Sequence, residues 1–281
     1  MGASADAVQA SVVVTTYNDS AILESTLAAF AVQSASDFEL VIADDGSRED
    51  YSATFERWAR RFRDGITHVW HEDKGFRRAR ILNGAIRTCR AARIVFSDAD
   101  CLPHRDFVRN HLAYLEPGIV ITGRRVHIAR EAVPAPEEIL HGGLKMGMAR
   151  LILLRFQGRA QRIEHGIVSP ILYEASRNGI LGSNCSIGRE DLEAVNGFSA
   201  EFEGWGGEDT DLAMRLARTG VRVRNLRNKV VQYHVRHAQR NEDTVGWRAL
   251  MDRYARENVT RAPEGLAEIR EGDFEVRRYP R

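Results

Sequence analysis

The chain has 281 residues, 43% of them hydrophobic and 28% charged, with 40 Lys and Arg against 39 Asp and Glu for a formal net charge of +1. That length and apolar content can bury the core of one large domain or two small ones. The balanced charge gives no global drive towards nucleic acid or an anionic membrane, so any affinity for anions must come from local clusters.

The start, MGASADAVQA, lacks the basic segment and apolar run of a signal peptide and carries Asp6 where a myristoylation motif takes Ser or Thr, so neither secretion nor N-terminal lipid is expected. SVVVTT (residues 11–16) then predicts a β-branched strand, and SAILESTLAAFAVQS a helix with Leu23, Leu27 and Ala31 at helical spacing. FELVIADDGS reads as a strand running into a turn. EDYSATFERWARRF repeats the helical period through Phe55, Trp58, Ala59 and Phe62. ITHVW is a short strand, RARILNGAIRTC a helix with Ile81, Leu82, Ala85 and Ile86 on one side, and RIVFSDAD a fourth strand. Such alternation predicts a mostly parallel sheet whose ligands sit beyond the carboxyl ends of its strands, where TTYND, ADDGS, HEDKGF and SDAD all fall. Neither GxGxxG nor GxxxxGK[ST] follows the first strand, which argues against a dinucleotide fold or a P-loop.

Beyond Asp100 the pattern loosens. Pro103 is expected to open a helix reaching Leu115, GIVITG is a strand, and residues 124–176 read as an irregular excursion. Within it, residues 145–162 are basic and free of acids, and LILL is far short of the ~20 apolar residues that span a bilayer. GILGSNCSIGREDLEAVNGF restores regular structure, followed by the helix EDTDLAMRLARTG, which Gly220 should end. Residues 241–281 read as a peripheral tail. Cys89, Cys101 and Cys185 form an odd, scattered set that suits a reducing cytoplasm.

Four constellations carry chemistry. Asp98 and Asp100, two apart in extended chain, would share one side and could hold a hard divalent cation; the same pair fits a solvated turn. GWGGEDTD sets Trp205, a flat face for a sugar ring, among glycines and delivers Glu208 and Asp209, either of which could be a base, to a helix start that acids also favour electrostatically. His234 and His237 could ligate metal or simply pack, and on a strand over 231–235 they share a face only if the chain turns after Val235. Lys74, Arg77, Arg78 and Arg80 surround Phe76, a set able to neutralise a diphosphate and stack on a base, or to form a solvated face.

In order along the chain, VVVTTYN, ADDGS, EDKGFRRARILN and FSDAD resemble the inverting GT-A glycosyltransferases of family-2 type, whose Rossmann-like α/β fold has a mostly parallel central sheet flanked by helices. NGF, GWGGEDTD and HVRH resemble the C-terminal module of β-1,4-galactosyltransferases and chondroitin-type polymerases. The likeness spans residues 11–240 except 124–176. It implies one catalytic domain over 1–240, with a nucleotide half (11–105) and an acceptor- and metal-binding half (106–240).

The resemblance implies that Thr15, Thr16 and Tyr17 border the nucleotide, that Asp44 or Asp45 contacts uridine, and that Phe76, Arg78 and Lys74 serve the uracil and diphosphate. Asp98 would lie near the donor sugar and ribose, and Asp100, His237 and His234 would bind Mn²⁺ or Mg²⁺. Asp209 would be the base, with Glu208 its alternate, and Trp205 and Glu208 would shape the acceptor pocket. Thr210 replaces an acid of the galactosyltransferases, and Ile180 replaces an aromatic gate, which would admit an N-acetylhexosamine. The implied activity moves a hexose or N-acetylhexosamine from a UDP-sugar to a hydroxyl of a glycan or lipid-linked glycan, in the cytoplasm. Residues 145–162, basic and apolar but without one clean cationic face, would contact a lipid-linked or anionic acceptor peripherally at the inner membrane face, or form a covering segment or a subunit interface. Two other classes fit parts of the pattern: a sugar-1-phosphate nucleotidyltransferase, which needs a glycine-rich basic loop that TTYNDS does not offer, and a non-catalytic glycan- or nucleotide-binding protein.

Overall fold

A computed structural model describes residues 8–144, 146–175, 179–237 and 245–281. Residues 1–7, Lys145, Ser176 and Arg240, which carry or bound segments drawn from the sequence, lie outside the described residues. The first half follows the sequence reading closely. Strands β1 (Ala10–Thr16), β2 (Phe38–Asp44), β3 (Ile66–Trp70) and β4 (Arg93–Asp98) alternate with helices α1 (Ser20–Ala31), α2 (Ser52–Ala59) and α3 (Arg78–Thr88). They pair in parallel in the order β3-β2-β1-β4, with Thr16 opposite Asp44, Asp44 opposite Trp70, and Thr15 opposite Asp98. The polar strand ends therefore meet along one edge, and the order reverses between β1 and β4, where open α/β sheets bind their ligands.

Helices cover both faces, which explains why β1 and β2 are buried at every position rather than alternating. Val12, Val14, Leu40 and Ile42 face a core built with Leu23, Leu27 and Phe55, while Val13, Val41 and Ala43 face Ile81, Leu82 and Ala85.

The second half departs from the reading. Asp100 is followed by a short strand, β5 (Cys101–Pro103), and helix α4 (Phe107–Tyr114) starts only at Phe107. Pro103 closes a strand because β5 is the edge of a small sheet, where a missing N–H is tolerated. After β6 (Ile119–Thr122), residues 124–175 hold β7 (Arg125–Ile128), α5 (Pro136–Gly142), α6 (Met148–Phe156), β8 (Ala160–Gln161) and β9 (Glu174–Ala175). Then come β10 (Asn184–Gly188), α7 (Arg189–Ala194), α8 (Glu208–Arg218), β11 (Arg222–Leu226) and β12 (Gln232–Val235). Gly220, at φ +88°, ends α8 as expected.

The main sheet runs β13-β3-β2-β1-β4-β10-β6-β11-β9, and a second runs β5-β12-β7-β8. Here α9 is Val245–Arg256, and β13 (Glu275–Tyr279) pairs antiparallel with β3. Phe274 stacks on His71, so this last stretch reaches the carboxyl ends of the parallel strands.

Candidate active site

The chain turns at Ala99 and Asp100, directly after β4, and sends the carboxylates of Asp98 and Asp100 to different partners. Asp98, the last residue of β4, accepts a hydrogen bond from the Thr15 hydroxyl across the β1–β4 pairing. It also accepts one from Arg78, whose Nη2 is 2.7 Å from Oδ1. Asp100 faces the small sheet. Its Oδ2 lies 3.3 Å from Nε2 of His234 and 3.3 Å from Nε2 of His237. The strand carrying His234 ends at Val235, whose N–H donates to the Asp100 carbonyl, and the His234 and His237 rings lie together, their centroids 5.4 Å apart. Burial opposes ionisation of Asp100, but hydrogen bonds from the two histidines outweigh it and hold its carboxyl well below the usual range.

Asp100, His234 and His237 thus converge on one point. One carboxylate and two imidazoles suit a divalent first-row cation, so the residues present fit the metal that the sequence implied. Cys101, which sequence reasoning did not place here, donates its thiol to Asp100 Oδ1 at 3.3 Å, on the oxygen opposite the histidines, and steadies the carboxylate. Its position beside the acid pair was the available signal.

Arg78 joins the two halves. It is 9% exposed, and besides Asp98 it reaches Glu208 Oε1 at 3.3 Å and the Gly182 carbonyl at 3.2 Å. The guanidinium expected at a diphosphate is thus held by two carboxylates and a carbonyl. Burial works against its charge, yet Asp98 and Glu208 prevail and raise its pKa. Burial pushes the Glu208 carboxyl up, against the pull of Arg78. Asp209 Oδ2 accepts the Gly182 N–H at 3.2 Å, and its Oδ1 takes the Thr210 hydroxyl at 3.3 Å.

Glu208 and Asp209 are presented by the glycine loop. Gly206 and Gly207 sit at φ +101° and +92°, left-handed geometry that favours glycine, and a Cβ on Gly207 would strike Phe202 and Trp247. Trp205 is 54% exposed at the tip of this loop. Ile180 is buried in the core.

At the carboxyl end of β2 the oxygens of Asp44 and Asp45 are all engaged. Asp44 accepts the Ser47 N–H at 2.8 Å and lies 3.0 Å from His68 Nε2. Asp45 accepts the Arg77 N–H at 3.0 Å and lies 2.7 Å from His71 Nε2. Neither His68 nor His71 was given a role by the sequence reading, although His71 opens the polar run HEDKGF at a strand end. Tyr17 reaches out to Asp73 at 3.1 Å, Thr16 is buried, and Phe76 is half-buried with its carbonyl accepting the Gly204 N–H. Lys74 points to solvent, paired with Glu72 at 2.9 Å, apart from the cluster around Arg78.

The sequence matches the family described as glycosyl transferase family 2 over residues 11–169, and the one described as N-terminal domain of galactosyltransferase over residues 164–238. It is 28% identical over 285 aligned residues to validoxylamine A glucosyltransferase of Streptomyces hygroscopicus subsp. jinggangensis, covering 94% of this chain and 64% of that protein. The chain therefore spans less than two thirds of that relative's length. Among solved structures, residues 1–349 of S. aureus TarS in complex with UDP-GlcNAc superpose with a TM-score of 0.61 at 16% identity, covering 92% of this chain and 68% of that fragment. The mannosyltransferase PcManGT of Pyrobaculum calidifontis, in complex with GDP-Man and Mn²⁺, gives 0.53 at 23% identity, covering 90% and 62%. At these identities the structural likeness speaks for the fold, a GT-A architecture, alone.

Proposed function

Because the chain belongs to glycosyltransferase family 2, matched over residues 11–169, we propose that it moves a hexose or N-acetylhexosamine from a UDP-sugar to a hydroxyl of a glycan or glycolipid acceptor, with inversion at the anomeric carbon. The observation that carries this reading is the convergence of Asp100, His234 and His237 beside Asp98, at the strand ends where an open α/β sheet takes its ligand. In this reading residues 11–105 serve the nucleotide and residues 106–240 the metal and acceptor.

Asp100, His234 and His237 would hold Mn²⁺ or Mg²⁺, and the cation when bound disperses the negative charge developing on the departing nucleoside diphosphate. Thr15, Thr16 and Tyr17 border the nucleotide, and the Asp44–Asp45 segment with Phe76 forms the uridine wall. Lys74 stands outside that wall and offers charge to the phosphates only by swinging away from Glu72. Arg78 fixes Asp98 and Glu208 in place.

Asp209 takes the proton of the attacking hydroxyl as that oxygen closes on the anomeric carbon from the face opposite the leaving group. The Gly182 N–H anchors Oδ2, which leaves Oδ1, contacted only by a neighbouring hydroxyl, as the oxygen for the proton. The C–O bond to the diphosphate breaks as the new one forms, so a single displacement inverts the centre without a covalent enzyme intermediate. Glu208 and Trp205 line the acceptor side.

Release of nucleoside diphosphate from a panel of UDP-sugars and GDP-mannose, with Mn²⁺ and with EDTA, tests the proposal. Metal-dependent UDP release from a UDP-hexose or UDP-N-acetylhexosamine is expected. Turnover of GDP-mannose alone would overturn the donor assignment.

A further inference from the structure

Outside the active site, α6 places an apolar face in water. Leu151 and Leu154 are buried, with Leu151 against Gly166 and Val126, but Phe156 is 86% exposed and Leu153 56%, with Ile152 and Met148 also exposed. Ile167 and Val168, which leave from beside that contact, are exposed as well. Arg150, Arg155 and Arg162 are exposed around this face, and among the described residues none of them pairs with a carboxylate. Residues 145–162 contain no acid.

We propose that this face docks on an anionic lipid bilayer surface. Aliphatic side chains and a phenyl ring beside unpaired arginines match acyl chains beneath anionic headgroups, where apolar burial and charge attraction add. The same charge disfavours a second copy of this chain, because a two-fold contact through α6 would set arginines against their own equivalents. A free glycan would find few polar partners on aliphatic side chains. No helix among the described residues is long and apolar enough to cross a membrane.

The position gives the contact a use. The Met146 N–H donates to the Tyr233 hydroxyl, and Tyr233 precedes His234 on β12. Docking through α6 therefore brings the metal-binding strand close to the bilayer, where an acceptor carried on lipid would be found.

Co-sedimentation of the full chain with vesicles of phosphatidylcholine alone, and with vesicles containing phosphatidylglycerol, tests this at low and physiological salt. Binding at least about tenfold tighter to the anionic vesicles, weakening as salt rises, is expected. Phe156→Glu with Leu153→Glu should abolish it, and Arg150→Gln with Arg155→Gln should weaken it and flatten its salt dependence. All four positions are exposed, so melting temperature and UDP release without acceptor should be unchanged, which separates this proposal from the donor reading. Absence of binding to anionic vesicles at low salt, or equal binding to both kinds, would overturn it. So would self-association without vesicles that Phe156→Glu removes, which would make a second copy the occupant.

Discussion

Arg78→Met tests whether the two halves are held together by one buried charge. Methionine keeps much of the volume but leaves the Glu208 carboxylate, 9% exposed, without its cation, and takes one donor each from Asp98 and the Gly182 carbonyl. Removing one partner of a buried ion pair costs about 3–5 kcal/mol. The Asp98 side adds less, because its side chain is 27% exposed and keeps Thr15. Against a typical total of about 5–15 kcal/mol, the loss should lower the melting temperature by roughly 5–9 °C. Urea denaturation followed by fluorescence of the four tryptophans measures it. Two signatures distinguish a stranded charge from general loss of packing. Adding Glu208→Gln should restore stability, with a coupling of about 1–3 kcal/mol. The deficit should also shrink as pH falls, because without Arg78 the Glu208 pKa rises further and protonation removes the uncompensated charge. An Arg78→Met protein within about 1 kcal/mol of wild type, or a double variant whose losses simply add, would refute the reasoning.

Asp209→Asn keeps shape and hydrogen bonding but cannot accept a proton, so turnover should fall about 10²–10⁴-fold with UDP affinity and melting temperature unchanged; near-normal turnover would move the base to Glu208. Asp100→Ala should abolish Mn²⁺ binding, followed by paramagnetic resonance, and full transfer in excess EDTA after verified metal removal would reject the metal assignment. His111, fully buried between Ser186 and Asn184, is pushed down to about 3 by burial. The unfolded imidazole titrates near 6.5 and binds the extra proton, so stability is greatest above that pH and falls as pH drops towards 3, by about 2 kcal/mol at pH 5. His111→Gln should flatten that part of the stability curve.

The sequence alone determined the parallel half of the fold, because a strand covered on both faces must be apolar throughout and a helix on its face must repeat every third or fourth residue. SVVVTT and RARILNGAIRTC carry those constraints in consecutive residues. It also determined which polar groups gather at the parallel strand ends, since TTYND, ADDGS, HEDKGF and SDAD are polar runs interrupting apolar ones. Tertiary structure decided the rest, because it depends on pairings between distant residues. The two-residue strand β8 has no period of its own and exists through its register with β7, and β13, exposed at all but its last position, exists through its pairing with β3. The same holds within the site. No spacing places Asp98 on Arg78 and Asp100 on two histidines more than 130 residues away; a turn between the acids and the end of β12 do so. By sequence Arg78 belongs to a basic cluster that could neutralise a diphosphate or form a solvated face, and only the approach of Asp98, Gly182 and Glu208 from three separate elements makes it a buried hub.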